Sequence, residues 1–122
     1  MAAPNIVNVS SILGKTMGAA LTTTTTTSIL TCPANKVLKI NAIIVANVDG
    51  TNNADATVSF YDSSATATYA LASTITVPAD ATLIVLSKET QIYLEESDEI
   101  RAGASASGDL EIIISYEELD DA

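Results

Sequence analysis

The sequence predicts an all-β protein: an antiparallel β-sandwich with jelly-roll-like winding. Three observations carry this expectation. Apolar and polar residues alternate along much of the chain, the period of a strand with one buried face. Thr and Ser are abundant, and β-branched Thr favours extended backbone over helix. Clusters of Asp, Asn, Gly, Ser and Pro interrupt the apolar runs at short intervals, as in strands joined by tight turns.

Taken in order, Asn5 to Leu13 is expected to be a strand and Gly14 to Ala20 a loop. Thr22 to Thr27 is a run of six Thr without polar/apolar alternation, so its register is weakly specified. It reads as the lead-in to a strand that turns apolar at Ile29 and Leu30, or as an arm that orders against a neighbour. Val37 to Val48 is the clearest alternation. Leu38, Ile40, Ala42, Ile44, Ala46 and Val48 would line one face, with Lys39, Asn41, Asn47, Ile43 and Val45 on the other.

Further strands are expected at Thr57 to Asp62, Tyr69 to Val77, Thr82 to Leu86, Gln91 to Leu94, Ile100 to Ser105 and Leu110 to Tyr116. In the last of these, Leu110, Ile112, Ile114 and Tyr116 face inward, and Glu111, Ser115 and Glu117 outward. Turns fall at Asp49-Gly50-Thr51-Asn52-Asn53, Asp62-Ser63-Ser64, Pro78-Ala79-Asp80 and Ser107-Gly108-Asp109. Residues 1–122 read as a single β domain in which 1–36 are arm or strands and 117–122 are a solvated acidic tail. Ala54-Asp55-Ala56-Thr57 recurs as Ala79-Asp80-Ala81-Thr82, which in so Ala/Thr-rich a chain establishes no repeat.

Composition bounds the chemistry. The 122 residues are 48% hydrophobic and 16% charged, with fifteen Asp and Glu against five Lys and Arg, a net charge of -10. A chain of this length buries roughly two thirds of its unfolded surface, enough for a core. Without His there is no Ser-His-Asp triad and no imidazole metal site, and one Cys makes neither an internal disulfide nor a thiolate zinc site. The acidic balance opposes nucleic-acid binding, which needs clustered Lys and Arg. No secretory signal is readable at Met1 to Asn5, and no apolar run approaches the length of a membrane span, so neither secretion nor a membrane is expected. Asn8-Val9-Ser10 fits the glycosylation pattern but is discounted without such a signal.

The remaining motifs are weak. Gly14-Lys15-Thr16 resembles the end of a phosphate-binding loop, but Val9 stands where that loop needs Gly. Asp49 and Asp55 are weak Ca²⁺ candidates in a segment that serves equally as hairpin turn chemistry. Glu95-Glu96-Ser97-Asp98-Glu99 is the densest acidic cluster and reads as a solvated turn, since carboxylate catalysis on sugars wants an aromatic-lined cleft. Tyr61, Tyr69, Tyr93 and Tyr116 are the candidates for stacking, and each fits a core-edge or interface position. Cys32 reads as a small buried hydrophobe. Lys36 and Lys39 would contact an acidic partner or protect an edge strand. No catalytic residue, cofactor site or metal site is assigned.

Several stretches resemble small virion structural proteins of tailed phages, particularly those of marine cyanobacteria. They are Lys39-Ile40-Asn41, Ala46 to Asn52, Val77 to Leu83, Ile92 to Ala102 and Ser115 to Glu118. The resemblance covers the chain from about Val37 onward. It implies a non-enzymatic role in the particle, with a head-decorating or cement protein first, a neck, tail or fibre component second, and localisation to the virion after assembly in the host cytoplasm. Partners would be the major capsid protein or other virion proteins, and the chain would be a homo-oligomer, a trimer being favoured. On this reading Ile43, Val45, Lys36 and Lys39 are the interface candidates. A carbohydrate- or receptor-binding module, Ca²⁺-assisted through Asp49 and Asp55, is the expectation from a different class.

Overall fold

The computed structural model describes residues 9–120. Among them lie nine strands: β1 (Ser11–Leu21), β2 (Thr27–Thr31), β3 (Lys36–Asn47), β4 (Ala54–Asp62), β5 (Ala67–Val77), β6 (Thr82–Leu86), β7 (Ile92–Leu94), β8 (Glu99–Ala104) and β9 (Leu110–Asp120). A single 3₁₀ turn, Lys88–Thr90, joins β6 to β7. The strands form two antiparallel sheets packed into a sandwich. One is ordered β1-β9-β3-β6, with β7 also on β3, and the other β2-β8-β4-β5. The pairing is nested: the first strand meets the last, β2 meets β8, β3 meets β6 and β7, and β4 meets β5.

The core lies between the sheets. Leu38, Ile40, Ile43, Val45, Leu110, Ile112 and Ile114 fill it from the first sheet. Val58, Ala56, Ile100 and Ala102 fill it from the second. Leu110, Ile112 and Ile114 point inward as their alternation requires, and Tyr116 packs partly buried against the same cluster. The facing residues of the second sheet include several alanines, so the large aliphatics of the first sheet can interdigitate against small ones.

In β3 the alternation breaks. Ile40 pairs with Tyr116 of β9, but Ala42, and not Asn41, pairs with Ser115. Asn41 is the extra residue of a β-bulge, and a one-residue slip exchanges the two faces. Leu38 and Ile40 therefore face inward before it, and Ile43 and Val45 after it, both fully buried. The expectation that Ile43 and Val45 are outward interface residues is corrected: they are core. Ile44 and Ala46 turn outward, half-buried, and Val48 is exposed. Asn47 is buried, and its Nδ2 donates to Asn52 O (3.0 Å) and Val77 O (2.9 Å) while Oδ1 accepts from Asp49 N (2.8 Å).

Two terminal expectations also change. Gly14 to Ala20 is the body of β1, paired with β9 from Ser11↔Asp120 to Leu21↔Leu110. The earlier part of the expected Asn5 to Leu13 strand, and Asn8 of the glycosylation pattern, lie outside the described residues. Glu117 to Asp120 is the end of β9, held between β1 and β3, and only residues 121–122 of the expected tail lie outside the described residues. The six-Thr run is the lead-in to β2. Its backbone lies against Gly103, where an added Cβ would come within 2.7 Å of Thr25 O, and Ala104 N donates to Thr23 O (3.1 Å).

Val45→Asp places an unpaired carboxylate in this core, a cost of several kcal/mol against a total stability of about 5–15 kcal/mol. Its cooperative urea transition, followed by circular dichroism, should disappear. Val48→Ser, at a residue 51% exposed, should unfold close to wild type. A Val45→Asp protein with a wild-type midpoint would return Val45 to the surface.

Candidate functional site

Most groups that carry chemistry are engaged in holding the fold. Cys32 is buried between β2 and β3, and its Sγ–H donates to Lys36 O (3.2 Å). Burial pushes its thiol up to about 11, so it is neutral and unreactive in the folded protein. Asp98, read as part of a solvated turn, is buried, which corrects that reading. Its carboxylate accepts from Ser63 N and Glu95 N (3.0 Å each), and its carbonyl from Cys32 N (2.9 Å). One residue, through its carboxylate and its carbonyl, thereby ties the β4–β5 turn, the β7–β8 turn and the end of β2 together.

Asp49 and Asp55 are each hydrogen-bonded within the fold. Asp49 caps its own loop, accepting from Thr51 N (2.8 Å), Asn52 N (3.1 Å) and Asn52 Nδ2 (3.2 Å). These bonds, that from Thr51 foremost, hold its carboxyl below the usual range. Asp55 accepts from Thr76 Oγ1 (2.8 Å) across to β5. Among the described residues no three His, Cys, Asp or Glu are placed to hold a metal ion. Gly14-Lys15-Thr16 lies within β1, paired with Glu117, Tyr116 and Ser115 of β9, and not in a loop.

The lysines are committed too. Lys36 Nζ lies 2.6 Å from Asp120 Oδ2 and 3.4 Å from Glu118 Oε2, and Lys15 Nζ 3.2 Å from Glu118 Oε1. The hydrogen bond to Asp120 leads in raising the Lys36 pKa above its ordinary value. Lys39 lies 3.7 Å from Glu117. Strand β3 is interior to its sheet, so neither Lys36 nor Lys39 protects an edge, which corrects that expectation. Of the tyrosines, Tyr61 lies under Arg101, whose guanidinium carbon is 4.0 Å from the ring centroid and whose Nε pairs with Glu99 (2.9 Å). Tyr69 and Tyr93 are exposed.

The outer face of the β1-β9-β3-β6 sheet stands apart. Register places Gly18, Ile113, Ile44 and Ile84 side by side across all four strands. Ile84 is 65% and Ile113 41% exposed, so an apolar row crosses the sheet in contact with solvent. Beside Ile113 a shallow open hollow of about 340 Å³ lies over Gly18, Ala19 and Ala20, where β1 has no large side chain. The neighbouring outward positions are Thr16, Ser115 and Ala42 on one side and Ala20, Glu111, Ala46 and Thr82 on the other, and Glu111 also lines the hollow. Contiguous exposed apolar surface is a feature that monomeric proteins limit, and it is common where partners dock.

These residues escaped the sequence reading, although a signal existed. The outward face of β9 runs Glu111, Ile113, Ser115, Glu117, so one isoleucine interrupts a polar series. Ile44 was legible only with the bulge known, and Ile84 sits in a run, Thr82 to Leu86, too uniformly apolar to mark which face is outward. No helix among the described residues is long and apolar enough to cross a membrane. The sequence matches no known family model and no curated protein.

Two titrations follow. The Asp49 pKa is lowered in the folded state, so its contribution to stability is present above the unfolded value near 4 and is lost as pH falls through the folded one. The difference in melting temperature between wild type and Asp49→Asn should therefore shrink on acidification below about pH 4; a constant difference would deny the shift. Alkylation of Cys32 at pH 8 should be negligible in native protein and rapid in urea, and equal rates would contradict its burial.

Proposed function

We propose that this protein is a non-enzymatic structural component of a tailed-phage particle: a homo-oligomeric decoration or cement protein on the outside of the head. One observation carries the reading as a binding module. The thiol, the buried carboxylate Asp98 and Lys36 are bonded into the fold, while an apolar isoleucine row lies open on one sheet. A site for chemistry gathers polar groups in a recess; a surface for assembly presents shape and apolar area.

The particle role itself rests on the resemblance of the stretches from Lys39 to Glu118. We infer further that the nested strand pairing is jelly-roll winding, a double-sheet architecture that capsid domains use. Partners on this reading are the major capsid protein or its neighbours, and the place of action is the virion after assembly in the host cytoplasm. Affinity for the head surface is weak per copy and is multiplied when a lattice presents many sites. The acidic charge keeps free copies soluble and repels packaged DNA.

Gold-conjugated antibody against the protein, applied to purified particles of the source phage and viewed by electron microscopy, tests the proposal. Label spread over the head is expected. Label confined to neck, tail or fibres gives the role to that part of the particle, and unlabelled particles with soluble antigen in the lysate would overturn a virion role.

A further inference from the structure

The outer face of the β1-β9-β3-β6 sheet is patterned so that it complements itself. Two rows of directly paired outward residues cross it. From the β1 edge the first runs Gly18, Ile113, Ile44, Ile84, and the second Gly14, Glu117, Lys39, Tyr93. Each row begins with a glycine on β1 and ends with a large exposed side chain on β6 or β7. Each has in its centre a pair that fits its own reversal: two isoleucines in one, a carboxylate and an ammonium in the other.

We propose that a second copy of this chain covers this face, the two sheets packing about a two-fold axis that lies in the interface parallel to the strands. Such a rotation keeps each row level and reverses its order. Ile84 then enters the hollow over the partner's Gly18, and Tyr93 lies over the partner's Gly14, where a Cβ would meet nothing within 4 Å. Ile113 meets the partner's Ile44, and Ile44 the partner's Ile113. Glu117 faces the partner's Lys39, and Lys39 the partner's Glu117, so each charge keeps its partner within the chain and gains one across the interface.

Two molecules that each carry a net charge of -10 repel, but these two rows hold one acid and one base, and Glu111, the acid in the row beside the isoleucines, falls opposite the partner's Ala46. The surface is the same patch on both subunits, as a two-fold interface requires. The inference rests on reading this face as an interaction surface, and it is independent of where in a particle the protein sits.

Sedimentation equilibrium of the full chain over a range of concentrations tests it. A mass twice the 12.6 kDa of the chain is expected. Ile84→Asp should weaken the dimer at least about tenfold, a loss of about 1.4 kcal/mol. Gly18→Val should do the same by filling the hollow, while the monomer tolerates it, since a Cβ there comes no closer than 3.7 Å to Ile112 O. Glu117→Lys and Lys39→Glu each set like charges across the interface and should each dissociate. Mixing those two variants should restore association as heterodimers, which no effect within one chain can do. A monomer at all concentrations, a trimer, a dimer indifferent to Ile84→Asp and Gly18→Val, or no rescue on mixing would overturn the proposal. Monomers that bind phage heads through Ile84 would also overturn it, giving the face to a virion partner while leaving the particle role standing.

Discussion

The bulge at Asn41 decides what this molecule keeps inside and what it shows. Strand β3 is the interior strand of its sheet that meets β9 on one side and both β6 and β7 on the other. One extra residue there changes the face of every residue that follows. It sends Ile43 and Val45 into the core and Ile44 out between Ile113 and Ile84. It also turns Asn47 inward, where its amide anchors the loop before β4 and the end of β5. Without the bulge the core would lose two of its largest fillers, and the outer sheet would present Ile43 and Val45 in place of the present row.

The parts of the fold that depend on local pattern were legible in the sequence. Leu110, Ile112 and Ile114 alternate without interruption, and the turns at Asp49 to Asn53 and Ser107 to Asp109 carry residues suited to tight turns. What depends on distant partners was not. Glu117 and Glu118 look like a solvated tail until Lys15, Lys36 and Lys39 arrive from strands made far earlier in the chain. Gly14 and Gly18 look like loop residues because glycine is poor in strands, and only pairing along all of β9 explains their extension. Asn41 has no side-chain feature that distinguishes a bulge from a regular position, so the face assignment of β3 failed at its middle.

Charge is divided along the chain in a way that the sheet order uses. Lys15, Lys36 and Lys39 all precede Asp49, and every one of the fifteen acids comes at or after it. The fold sets β1 and β3, which carry those three lysines and no acid, on either side of β9, which ends in Glu117, Glu118 and Asp120. Many of the other acids sit in the turns at the two ends of the sandwich, including Asp49, Asp80 and Asp109 at one and Asp62, Glu95 and Glu96 at the other.

The placement of β9 between β1 and β3 also sets an order of events during synthesis. Among the described residues β1 pairs with β9 alone, so it waits about ninety residues of elongation for that segment. At ordinary ribosomal rates that is a delay of roughly 5–20 s. The second sheet can form earlier, since β8 is made before β9 and needs only β2 and β4. A ribosome-bound chain thus holds half a sandwich whose apolar inner surface is open until residues 110–120 emerge. Chains that stall before that point lack β9 and leave uncovered the part of it that β9 would pack on, which makes them substrates for chaperones and proteases.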